Sequence, residues 1–146
     1  MIAVDTNILV YAHRTDSEFH APADAMVRSL ADGDQRWLIP FHCFVEFYAV
    51  VTHPRLYKPP SSMERAIEFL DDVAGSPSLR IAGDESLTWS RLRSLLVSSV
   101  IVGPRAYDAR IAAVCMENGV TELWSADRDY SRFPQLKVVN PLVKPS

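Results

Sequence analysis

Asp5 directly follows a short apolar run, Ile2 to Val4, and Asp127 follows a second run that ends at Ser125. Runs this short and continuous suit strands buried on both faces of a parallel sheet. The carboxyl ends of such strands are where open α/β sheets hold their ligands. Glu46 is flanked by Phe44, Val45, Phe47 and Tyr48 in a helical segment with little polar face. A lone carboxylate there is costly unless it is paired or bound to a metal. Asp108 falls in the first turn of a helix, where the dipole favours an anion, and helical spacing puts it on the face of Ile111, Ala112 and Cys115. Each acid also has a plainer reading. Asp5 can cap the helix that follows, Glu46 can sit at a rim or pair with an arginine, Asp108 can serve the dipole alone, and Asp127 with Asp129 can belong to a turn.

The joint pattern is harder to explain plainly than any one member. If the strands ending at Asp5 and Asp127 are parallel neighbours, these carboxylates converge at one sheet edge. Two carboxylates about 5 Å apart repel by about 3 kcal/mol at an effective dielectric near 20. A cluster of them raises its own pKa values or splays apart unless a cation holds it. Oxygen donors select a hard ion, so Mg²⁺, or Mn²⁺ in its place, is the natural occupant. The remaining acids, Asp32, Asp34, Glu64, Glu68, Asp71, Asp72, Asp84 and Glu85, lie in turns or on polar helix faces and read as solvated surface.

The elements that must position these groups alternate along the chain. After the first strand, Asn7 to His13 reads as a helix and Pro22 to Leu30 as a second, stopped by Asp32-Gly33-Asp34. Trp37 to Ile39 is a strand closed by Pro40. Phe41 to Thr52 is apolar almost all round, which predicts a buried helix ending at His53-Pro54. A proline-rich loop covers 54–62, and Ser62 caps a helix with Ala66, Ile67, Phe69, Leu70 and Val73 on its stripe. Leu79 to Ala82 reads as a strand, Ser86 to Ser98 as a helix, and Gly103-Pro104 as a turn. Tyr107 to Glu117 is a helix stopped at Asn118-Gly119, and Leu123 to Ser125 and Leu136 to Val139 are the last strands. Strands alternating with helices through short loops predict an α/β sandwich with a mostly parallel sheet.

With 146 residues, no internal repeat and no linker, the chain reads as one domain, residues 1–146. Its apolar stretches fall short of the roughly 20 residues a bilayer requires, and MIAVDTNILVY lacks the basic start of a signal peptide. The expected address is the cytoplasm, with no membrane contact. Cys43 and Cys115 lie in separate apolar patterns without the close spacing of a zinc site, so they read as buried thiols. A net charge of −3 argues against a broadly basic nucleic-acid surface and confines any such binding to a local patch. Arg14, Arg110 and Arg128 lie near the acids and either contact phosphates or form surface salt bridges.

VDTNILVYA at the start, the FVEF segment, DARIAAVCMENGV and SADRDYSRF together resemble the PIN-domain nucleases. More narrowly they resemble the VapC toxins of type II toxin–antitoxin pairs, with VVTHPR and FPQLKVVNPL matching one subgroup over nearly the full length. The resemblance implies a three-layer α/β/α fold around a parallel sheet and an acidic quartet that binds Mg²⁺. Carried over by position, the quartet is Asp5, Glu46, Asp108 and Asp127, with Asp129 a second acid just beyond it. Thr6, Asn7 and Ser125 match the small polar residues that orient the carboxylates, although Ser125 and Tyr130 replace the Thr and Phe that are common there. The implied activity is hydrolysis of RNA phosphodiester bonds, the implied partners a VapB-type antitoxin and a second copy of the chain.

Two other classes also place an Asp after a first strand. A haloacid-dehalogenase-type phosphatase needs a second Asp where this chain has Asn7, and a catalytic Lys that Lys58, Lys137 and Lys144 do not supply in register. A non-catalytic receiver-like or RNA-binding module would show an acidic pair after the first strand, or lose members of the quartet.

Overall fold

A computed structural model describes residues 1–127, 130 and 133–143. Five strands form one sheet: β1 (Ile2–Val4), β2 (Trp37–Pro40), β3 (Leu79–Ala82), β4 (Glu122–Trp124) and β5 (Lys137–Val139). They pair in the order β3-β2-β1-β4-β5, and every pairing is parallel. Six α-helices connect them: α1 (Thr6–His13), α2 (His20–Asp32), α3 (Phe41–Val51), α4 (Met63–Ala74), α5 (Thr88–Ser98) and α6 (Ala106–Glu117). Helix α1 packs on α2 and α3, α3 on α4, and α5 on α6. The chain moves outward from β1 through β2 to β3 and then returns to lay β4 on the other side of β1. With right-handed crossovers this reversal puts the two helix groups on opposite faces, giving the three-layer α/β/α sandwich.

The central strands are apolar because both their faces are covered. Ala3, Val4, Trp37, Leu38, Ile39 and Leu123 have no solvent exposure. Helix ends follow local chemistry: the Ser62 hydroxyl accepts from Arg65 N–H at the start of α4, and Gly119, at φ +71°, takes the left-handed turn after α6.

Helix α3 differs from the all-round burial that its composition predicts. Cys43, Phe47 and Val51, one turn apart, have no exposure, while Phe41 and Val45 on the outer face are each 54% exposed. An outer layer of a sandwich has covering on one side only, so an apolar sequence there leaves apolar surface in water.

Candidate active site

The reversal of strand order falls between β1 and β4, and at such a switch point the loops after two neighbouring strands part to leave a crevice. Val4 pairs with Trp124, so Asp5 and Ser125 leave the sheet side by side, and Asp5 N–H donates to the Trp124 carbonyl at 2.9 Å. A cleft of about 230 Å³ opens there, and Asp5, Glu46, Asp108 and Asp127 all line it, each from a different element or loop. A larger groove of about 750 Å³ runs along α5, and none of these four acids lines it.

Asp5 is held on both of its carboxylate oxygens. It is 5% exposed and forms the N-cap of α1, accepting from Thr6 N–H at 2.8 Å on Oδ1. Its Oδ2 accepts from the Ser125 hydroxyl at 2.7 Å. The buried Cys43 thiol lies 3.7 Å from Oδ1 and donates to it. Capping and site-building, read from sequence as alternatives, coexist in this one carboxylate.

Ser125 is the hub that joins the two strand ends. Besides donating to Asp5, its Oγ accepts from Asp127 N–H at 3.0 Å and from Asn7 Nδ2 at 3.3 Å. Asn7 Oδ1 in turn accepts from Ala126 N–H at 3.1 Å, tying α1 to the loop after β4. Thr6 is buried, and its Oγ1 has no oxygen or nitrogen partner.

Glu46 is not the buried carboxylate that its apolar neighbours suggest. Its side chain is 42% exposed at the rim, and Oε2 meets His42 Nε2 at 3.1 Å. The i,i+4 spacing of His42 and Glu46 carried this pairing in the sequence. Asp108 is partly exposed beside Ile111 in the cleft. Asp129 and Arg128 lie outside the described residues. Arg14 and Arg110 form salt bridges, to Asp16 at 2.6 Å and to Asp84 at 2.6 Å.

Burial pushes the Asp5 carboxyl above its ordinary range, outweighing the Ser125 and Thr6 hydrogen bonds, and the charges of Glu46 and Asp127 push it further. The thiols nearby respond the same way: Cys43 is raised well above the usual range and Cys115 is pushed up to about 12, in both cases by burial first and the Asp5 charge second. Ionised Asp5 therefore costs the fold. Because its pKa is higher folded than unfolded, its stabilising contribution is complete below the unfolded value of roughly 4 and is lost as pH rises through the folded value. In metal-free buffer, the melting temperature of an Asp5→Asn chain should gain on that of the parent as pH is raised from the acid range to neutrality. A pH-independent difference would remove burial as the source of the shift.

Among the described residues, no three His, Cys, Asp or Glu side chains already stand together as a metal cage. The carboxylates share a cleft without closing on a point. Mg²⁺ demands less than a cage, since it keeps several waters and binds through one or two carboxylates plus a substrate phosphate. The oxygen-only donor set and the burial cost on Asp5 fit that ion.

The cleft is also lined by side chains that the sequence reading did not select: Val10, Tyr11, Val50 and Tyr57. Of these, Tyr57 comes from the proline-rich loop, where no periodicity marks a position as inward-facing.

The PIN domain family model matches residues 2–136. This chain belongs to the PIN-domain family. Within it the chain falls among the VapC type: it is 34% identical to the VapC ribonuclease Mb2897 of Mycobacterium bovis, over 97% of this chain and 96% of the relative. Two solved structures share the fold of this PIN domain. VapBC2 from Rickettsia felis, bound to a promoter DNA fragment, matches with a TM-score of 0.66 at 20% identity, covering 95% of this chain and 98% of the other. VapC20 of Mycobacterium tuberculosis, a toxin that cleaves the sarcin–ricin loop, matches with a TM-score of 0.66 at 17% identity, covering 90% and 93%.

Proposed function

We propose that this PIN-domain protein is a Mg²⁺-dependent endoribonuclease, with Mn²⁺ able to replace Mg²⁺, and the toxin of a toxin–antitoxin pair. The observation that carries the reading is the meeting of Asp5, Glu46, Asp108 and Asp127 in one cleft at the switch point of the sheet. The VapC ribonuclease named above supports RNA as the substrate.

In this reading Asp5, Asp108 and Asp127, with Glu46 at the rim, hold the metal ion, which supplies charge neutralisation at the phosphate and activation of water. Thr6 N–H and the Ser125 hydroxyl fix both oxygens of Asp5, so that this carboxylate needs no reorganisation when substrate arrives. Asn7 and Ser125 hold the backbone at Ala126 and Asp127, which keeps the second strand end in register with the first. Glu46, at the rim and paired with His42, would take a proton from the attacking water. The thiols of Cys43 and Cys115 are buried and hold their protons, so neither serves as a nucleophile, consistent with direct attack by water.

The VapBC complex among the structural relatives supports a VapB-type antitoxin as partner. A second copy of the chain would cover the exposed outer face of α3, with Phe41 and Val45 at its centre. No helix among the described residues is long and apolar enough to cross a membrane, and cytoplasmic RNA is the expected target. The test is to incubate purified, antitoxin-free protein with total RNA in Mg²⁺, in Mn²⁺ and in EDTA. Discrete fragments that need the metal are expected. Intact RNA in every lane, from folded protein, would reject the reading.

A further inference from the structure

The chemistry of a metal-assisted hydrolase accounts for the carboxylates of the cleft and leaves its aromatic and aliphatic lining without a task. Carboxylates and a cation need only the phosphate. Tyr11, Tyr57, Val10 and Val50 line the same space. At about 230 Å³ the cleft is smaller than the roughly 300–1,000 Å³ of pockets that enclose drug-sized ligands, so it suits one nucleotide unit.

Tyr57 is the one of these four that no helix or strand carries. It belongs to the loop of residues 52–62, between α3 and α4, which has no ladder or helix of its own. Ordering such a loop costs about 1–2 kcal/mol of backbone entropy per residue. The end of α1 supplies the fixing groups. The Arg14 guanidinium lies 4.3 Å from the centroid of the Tyr57 ring, and its Nη1 donates to Ser61 Oγ at 3.3 Å. Arg14 itself is only 11% exposed and is held by Asp16 through two bonds, Nε at 2.9 Å and Nη2 at 2.6 Å. His13 Nε2 meets Ser61 Oγ at 2.8 Å, and Ser61 N–H donates to the Val51 carbonyl at 2.8 Å. A guanidinium this close to a ring centroid is attracted by the ring quadrupole, which holds the Tyr57 ring against Arg14.

We infer that Tyr57, backed by Arg14, is the stacking surface for a nucleobase next to the scissile phosphate, and that Arg14 is its positioning residue. The inference rests on the reading of the cleft as an RNA-cleaving site and adds where the base goes. Single-stranded RNA is gripped by stacking splayed bases on aromatic rings, which works for every base because each has a π-face. It also answers the charge problem: an acidic chain that lacks a broad basic surface gains affinity from stacking, without adding cations beside its own carboxylates.

The test compares binding of a short fluorescein-labelled mixed-sequence RNA with that of an abasic ribose-phosphate oligomer of equal length. The protein carries Asp5→Asn to suppress cleavage, and Mg²⁺ is present. The base-bearing RNA should bind on the order of five- to 150-fold more tightly. Tyr57→Ala and Tyr57→Leu should each erase that preference while leaving abasic binding unchanged, Tyr57→Phe should keep it, and Arg14→Gln should reduce it. Melting curves of each variant separate loss of the ring from loss of the fold, and the leucine variant retains apolar bulk without the π-face. Equal binding of the two oligomers, or a preference that survives Tyr57→Ala, overturns the inference while leaving the RNA-cleaving cleft in place. If neither oligomer binds, the inference fails together with the reading beneath it.

Discussion

Replacing Asp5 by Asn is expected to lower RNA cleavage by on the order of 10³-fold, the equivalent of about 4 kcal/mol of transition-state stabilisation. Asn keeps the shape and the oxygen that accepts from Thr6 N–H, so α1 stays capped. What it removes is the negative charge at the meeting point of β1 and β4. It also forces the group facing Ser125 to donate where Asp5 accepts. The folded state should survive and even gain at neutral pH, because the charge removed is one that burial opposes. The measurement is the rate of appearance of RNA fragments in Mg²⁺, with Asp34→Asn, an exposed acid outside the cleft, as the control. Activity within tenfold of the parent would remove Asp5 from the centre of the site. Loss of activity without fold would show in the melting curve and would indict the cap.

The second large effect is on stability. Phe47 has no exposure and stacks on Phe69 at 4.9 Å between ring centroids, with His13 edge-on at 5.3 Å. This cluster locks α3 to α1 and α4, the layer that presents Glu46 to the cleft and carries the Tyr57 loop between α3 and α4. Phe47→Ala should cost about 3–5 kcal/mol, through lost transfer energy and an unfilled cavity. In a domain of this size each kcal/mol lowers Tm by roughly 2–4 °C, so a drop of about 10 °C or more is expected in a thermal scan. Phe47→Leu, which refills most of the volume, should lose much less. A loss below about 1 kcal/mol for the alanine variant would mean that α3 is not held by this face.

These two experiments probe different ranges of information in the chain. Short continuous apolar runs and period-3.6 patterns, together with a cap at Ser62 and a turn at Asn118-Gly119, placed all five strands and the main helices within a few residues of where they lie. The positions of Asp5 and Asp127 just beyond strand ends were legible for the same reason, since that is a property of neighbours along the chain. The exposure of Phe41 and Val45 was not, and the rim position of Glu46 was legible only as one of its alternative readings. A composition that is apolar all round says that a helix is attracted to a core, but only the number of layers packed on it decides which side is covered.

The sequence by itself thus determined the parallel α/β class and marked the acids that had no plain surface explanation. The tertiary structure decided that β1 and β4 are parallel neighbours.

 Residues 5–121 intervene between those two strands, and no local pattern in either one states its neighbour. Strand order is a choice among whole-chain packings, settled by which arrangement buries both faces of the sheet and not by any single segment. The same holds for the Asp5–Ser125 bond, which joins residues 120 apart, and for Tyr57, which an aperiodic loop delivers to the cleft only because Arg14 and Ser61 hold it there. Short-range physics wrote the elements, and long-range packing assembled the site from their ends.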